Sequence, residues 1–131
     1  DNAHAVHPNH PELSDHNHGV TLNGGVVIKY NAAQHYTSDG VSAALFQLLC
    51  EEAGVPFQRY ANRADMAGGS TLGNIANTQV SLNTVDIGLP QLAMHSAWET
   101  AGAEDTSSMV RALTVFYGKS LELTENGLAL V

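Results

Sequence analysis

Gly24-Gly25-Val26-Val27-Ile28-Lys29-Tyr30 opens with paired glycines and runs on as a short apolar stretch with one cation near its end, the pattern of a buried strand. Thr37-Ser38-Asp39 then offers helix caps ahead of Val41, Ala44, Leu45, Leu48 and Leu49, whose spacing marks a single apolar helical stripe. Gly54 and Pro56 follow in the order that stops a helix. Phe57 to Ala61 reads as a second strand, interrupted by Gln58 and Arg59. The glycine-bearing loop from Asp65 to Gly73 leads into a helix using Leu72, Ile75, Ala76 and Val80. Thr84-Val85-Asp86-Ile87-Gly88 is a third strand broken by Pro90, and Asp105 is expected to cap a last helix carrying Met109, Val110, Leu113, Phe116 and Tyr117. Strands alternating with helices predict an α/β fold, a layered sheet flanked by helices. Asn9 to Leu22 reads as a polar surface loop, and Leu123 to Val131 lacks a pattern and is expected to fray.

Five Lys and Arg stand against thirteen Asp and Glu in 131 residues, a formal charge of −8. Such a chain repels phosphate backbones, which excludes nucleic acid as a partner. No apolar run reaches the length of a membrane span and no basic-then-apolar leader opens the chain, so neither a membrane nor a secretory role is expected. Cys50 is the single cysteine, which rules out an internal disulfide and a cysteine zinc ribbon. Beside Leu48 and Leu49 it reads as a buried thiol rather than a nucleophile. A cytoplasmic address fits this composition. With no internal repeat or linker, residues 1–131 are taken as one unit.

The chemistry concentrates at two places. Asp1-Asn2-Ala3-His4-Ala5-Val6-His7-Pro8-Asn9-His10 places a carboxylate ahead of three imidazoles, and Pro90-Gln91-Leu92-Ala93-Met94-His95-Ser96 brings another. Asp1 offers a hard oxygen ligand and His95 a borderline nitrogen, both acceptable to zinc. Each also has a plain reading, a solvated carboxylate and a capping or core histidine. His4, His7 and His10 resemble a ligand ladder, but Pro8 and Pro11 oppose the helix that would align them. Lys29 in so acidic a chain calls for a carboxylate partner, in the protein or in a substrate, unless it snorkels to solvent. Tyr36 could offer a phenol to the same pocket or simply pack. Gly68-Gly69-Ser70-Thr71 before a helix could present backbone N–H groups to an anion, yet it lacks the ending of a phosphate-binding loop.

Those quoted motifs, together with Gly68-Gly69-Ser70-Thr71-Leu72-Gly73, make the sequence resemble the aspartyl aminopeptidase family from Asp1 to about Tyr117. These are cocatalytic zinc metallopeptidases that remove acidic amino-terminal residues from peptides. By that resemblance Asp1 matches the aspartate binding one of two zinc ions and His95 the histidine binding the other, with manganese or cobalt as alternative metals. His4, Lys29 and Tyr36 match positions that contact substrate, and His7 has only a supporting role. The resemblance implies that the bridging aspartate, the glutamate base, a second glutamate and another histidine lie upstream of Asp1, along with an inserted domain through which the family forms homo-oligomers. The chain is therefore expected to be the carboxy-terminal half of a catalytic domain, inactive alone. Two departures stand out: Asn17-His18-Gly19-Val20-Thr21-Leu22 lacks an expected Arg-Pro pair, and Ala67-Gly68 stands where Pro-Cys is common. The rival expectations are a non-catalytic metal- or peptide-binding module and a purely structural fragment.

Overall fold

The computed structural model describes residues 1–131. In chain order its elements are β1 (Ala3–His4), β2 (Val26–Tyr30), α1 (Gly40–Ala53), β3 (Phe57–Ala61), α2 (Leu72–Gln79), β4 (Ile87–Gly88), β5 (Pro90–Leu92), β6 (Thr100–Ala101), α3 (Ala103–Tyr117), β7 (Leu121–Thr124) and β8 (Gly127–Leu130). The α/β class holds, but the strands divide among small sheets: β3-β2-β4, β1-β5-β6 and the pair β7-β8.

β2 is the organising element. It pairs parallel with β3, from Val26 opposite Phe57 to Tyr30 opposite Ala61, and α1 makes the crossover between them. Successive side chains of a strand face opposite ways. Val26 and Ile28 join Ala43, Phe46, Leu49, Cys50, Val55 and Ala112 in one core cluster, while Val27 packs with Ala3, Val20, Tyr36 and Tyr60 in the other. Burial on both faces explains why the strand reads as an unbroken apolar run. The same alternation sends Lys29 to the face shared by Val27 and β1, where the candidate site lies.

Local chemistry fixes the ends of α1. Asp39 accepts the Ser42 N–H at 2.8 Å while the Asp39 N–H donates to Ser42 Oγ at 3.0 Å, a reciprocal capping box. Gly54 ends the helix in the left-handed conformation, φ 61°. Gly25, φ 103°, lets the chain pass so close to Pro56 that an added Cβ would sit 2.1 Å from its carbonyl oxygen.

Several expectations change. Asp105 does not cap α3, whose N-cap is Gly102; it lies in the first turn, fully buried, and accepts the N–H groups of Asn23 and Gly25, each at 2.7 Å. The buried face of α3 runs through Asp105, Ser108 and Ala112, leaving Val110, Phe116 and Tyr117 exposed. The third strand is only Ile87–Gly88, antiparallel to β2, because the Asp86 N–H donates to Ser38 Oγ at 2.8 Å instead of joining a ladder. Pro90 opens β5 rather than ending a strand. Residues 121–130 do not fray but form a hairpin, Leu121 opposite Leu130, with Gly127 at φ 116°. α2 forms as expected, yet Leu72, Ile75 and Val80 are exposed. The 9–22 loop holds one short 3-10 turn, Pro11–Leu13, and buries Val20 completely.

Candidate metal centre

Parallel pairing of β1 with β5, Ala3 opposite Pro90 and His4 opposite Gln91, draws the first residues of the chain against the segment leading to His95. Asp1 Oδ1 and His95 Nε2 are 3.8 Å apart, with side-chain exposures of 41% and 77%. That separation is too long for a hydrogen bond and leaves both donors open to a third party.

The Asp1 main chain is held from three directions. Lys29 Nζ donates to its carbonyl oxygen at 2.7 Å. Asn2 accepts the Leu89 N–H at 2.9 Å and donates through Nδ2 to Gln91 Oε1 at 2.7 Å, which clasps β1 to β5. Gly88 completes the seat, since a Cβ there would lie 2.7 Å from the Asp1 oxygen and 2.9 Å from Asn2 Cα.

Lys29 is 0% exposed, so it does not snorkel. Its ammonium pairs with Asp86 Oδ1 at 2.7 Å and lies 4.7 Å from the centre of the Tyr36 ring, a cation–π contact. The carboxylate partner that its sequence context demanded is thus a protein group. Two of its three N–H donors are taken by oxygen atoms and the Tyr36 ring is the remaining neighbour. Asp86 is itself braced, for the Thr71 hydroxyl donates to Oδ2. The glycine loop therefore contributes a hydroxyl to this network, and α2 starts without a side-chain cap because that hydroxyl is engaged elsewhere.

Tyr36 is buried, and burial pushes its phenol above the ordinary value against a hydrogen bond with Asn62 that pulls it down. Tyr60, behind it, is pushed up to about 12 by burial and then by Tyr36. His4 stands on β1 near His95; partial desolvation, then the neighbouring imidazole, hold it below the usual histidine range. The five residues singled out from sequence therefore converge on one region.

The three-imidazole ladder does not form. His7 and His10 have ring centres 5.4 Å apart, but His10 bonds Glu12 at 3.1 Å and His7 Nδ1 accepts the Asn9 N–H at 3.1 Å, while the imidazole that bears on His4 electrostatically is His95. No group of three or more His, Cys, Asp or Glu side chains in this chain could hold a metal ion. Beside His4 opens a cavity of about 350 Å³ lined by His7, His10, Tyr60, Arg63 and Met66 among others. Cys50 is fully buried and burial pushes its thiol up to about 11, so it carries no nucleophilic thiolate at neutral pH.

Reading the sequence missed Asn2, Asp86, Gly88 and Glu99. Asp86 carried a signal, a charge inside an apolar strand candidate, which has to find a partner when buried.

Residues 1–117 match the sequence model of the family described as aminopeptidase I zinc metalloprotease (M18). A probable M18 family aminopeptidase 2 from Pseudomonas paraeruginosa is 49% identical over 120 residues, covering 92% of this chain and 28% of the relative. Its counterpart in Ectopseudomonas mendocina is 50% identical over 117 residues, 89% of this chain and 27% of that protein. Among solved structures, the Ape4 and Nbr1 complex matches with a TM-score of 0.87 at 36% identity, over 89% of this chain and 22% of that one. Yeast aminopeptidase 1 matches at 0.78 and 28% identity, over 90% and 25%. The chain thus spans little more than a quarter of the curated relatives it matches, as the 28% and 27% coverages show. On the strength of a match over nearly its whole length, the chain belongs to the M18 family of zinc metalloproteases.

Proposed function

We propose that these residues form one side of the catalytic domain of a cytoplasmic, dinuclear-zinc aminopeptidase that releases acidic amino-terminal residues from peptides and works as a homo-oligomer. The observation that carries the proposal is the 3.8 Å approach of the Asp1 carboxylate to the His95 imidazole. Tetrahedral bonds of about 2 Å bring two ligands of one zinc ion to roughly 3.3 Å from each other. Two-metal sites hold their ions about 3.5–4 Å apart, so donors this close can serve one ion or two neighbouring ones, and the family resemblance favours two. Asp1 would serve one ion and His95 the other.

Bound zinc would supply a water that ionises near neutral pH and a Lewis acid for the scissile carbonyl. This chain's residues do the positioning. Lys29, Asn2 and Gly88 fix the backbone that carries the Asp1 carboxylate. His4, held below the usual histidine range, stays neutral at pH 7 and can hydrogen-bond a substrate without adding charge beside two cations. Lys29 is committed to Asp86 and to the Asp1 carbonyl beneath the Tyr36 ring, so Lys29 and Tyr36 would shape the substrate side of the site from behind rather than meet a substrate carboxylate directly. Because the chain assembles no three-donor cluster, the remaining ligands and the proton acceptor are assigned to the rest of the enzyme. Oligomer formation is supported by a relative solved as the mApe1 dodecamer.

Hydrolysis of aspartyl and leucyl chromogenic amides tests the proposal. The complete enzyme should cleave the aspartyl substrate in a chelator-sensitive way, and the 131-residue chain alone should not. Preference for the leucyl amide would remove acidic selectivity from the account, and turnover by the chain alone would remove the need for outside ligands.

A further inference from the structure

We infer that Glu99 is a positioning residue for the His95 imidazole, its carboxylate locking the His95 backbone in the one conformation that turns the ring toward Asp1. The inference rests on the metal-site reading above. His95 has φ 68° and Ala93, two residues earlier, φ 52°; both lie in the left-handed region that a residue with a Cβ occupies at a cost. Such conformations persist only when the surroundings impose them. His95 is not aimed by packing, because its side chain is 77% exposed. Backbone conformation therefore sets the direction of the Cα–Cβ bond from which the ring reaches Asp1.

The loop 93–99 connects β5 to β6, and the ladder between those strands, Leu92 opposite Thr100 and Gln91 opposite Ala101, ties its two ends together. Inside it the Ser96 N–H donates to the Ala93 carbonyl at 3.0 Å and the Trp98 N–H to Ser96 Oγ at 3.0 Å. The His95 N–H donates to Glu99 Oε1 at 2.5 Å. Of these bonds only the last involves a charge, and only it grips the residue that bears the imidazole. Glu99 directly precedes Thr100, the first residue of β6, so its own backbone is anchored by the ladder. A carboxylate beside a metal site could instead be a ligand; here its Oε1 is committed to a backbone N–H.

Cobalt(II) titration of the complete enzyme, read by the visible spectrum, tests the assignment together with hydrogen exchange of the His95 amide in the metal-free protein. Glu99→Ala should weaken one cobalt site by about 10–100-fold and strip the His95 amide of its exchange protection. Glu99→Gln, whose amide oxygen still accepts the N–H, should stay close to wild type in both readouts. Unchanged cobalt affinity in Glu99→Ala, with one ion lost in His95→Ala, would overturn the role of Glu99 and leave the site reading standing. Loss of an ion in Glu99→Gln with the amide still protected would make Glu99 a ligand, which also overturns the inference. Unaltered cobalt binding in His95→Ala would remove the metal-site reading itself.

Discussion

An ammonium group out of contact with water is expensive, and Lys29 is such a group, 0% exposed on a strand that otherwise carries Val26, Val27, Ile28 and Tyr30. Asp86 at 2.7 Å, the Asp1 carbonyl at 2.7 Å and the Tyr36 ring offset that cost. Removing one partner leaves the other charge buried and unmatched. Asp86→Asn should therefore destabilise the fold by about 3–5 kcal/mol, and Lys29→Met combined with Asp86→Leu should recover most of the loss, both measured by chemical denaturation. A cost below 1 kcal/mol for the single change would show that water reaches the pair. Cys50 makes the opposite point about burial: with its thiol pushed up to about 11, it should be inert to an aromatic disulfide reagent at pH 8 in the native protein and react promptly in denaturant. Prompt native-state reaction would contradict the packing described for α1.

At the scale of elements, ends set by local chemistry were readable and ends set by distant partners were not. Asp39 and Gly54 bracket α1 because a carboxylate can cap the first turn and a glycine can take φ 61° in the last. Asp39→Ala and Gly54→Ala should each cost about 1 kcal/mol, seen as lowered melting temperatures, and a neutral result at either would mean that packing alone defines the helix. β2 and β3 were legible for a related reason, being long enough for composition to speak. β1, β4, β5 and β6 were not, since strands of two or three residues carry no periodicity and exist only through their ladders. Asp105 had the right chemistry for a cap, but the N–H groups of Asn23 and Gly25 lie 80 or more residues away in sequence and claimed it. The closing hairpin did carry a signal, since Leu121-Glu122-Leu123-Thr124 alternates apolar with polar residues ahead of an Asn126-Gly127 turn pair, but its strands are short and mostly exposed.

At the scale of the molecule, the candidate site was named from sequence while its construction was not. Asp1 and His95 stood out by ligand chemistry and by resemblance; their meeting depends on β1 joining β5 and on a loop whose strained residues, Ala93 and His95, look ordinary in the sequence. The supporting residues Asn2, Gly88 and Glu99 are visible only in three dimensions, where they act on main chain, while Asp86 acts through its carboxylate on the Lys29 and Thr71 side chains. The result is a rim with two open donors and, behind it, a fully committed network. Such a rim can contribute to a metal centre but does not close one. Anomalous diffraction at the zinc edge from crystals of the complete enzyme addresses this most directly. The expected result is two zinc peaks, one about 2.0–2.2 Å from an Asp1 carboxylate oxygen and the other about 2.0–2.1 Å from a His95 ring nitrogen. Zinc bound elsewhere, with either side chain left unligated, would contradict it.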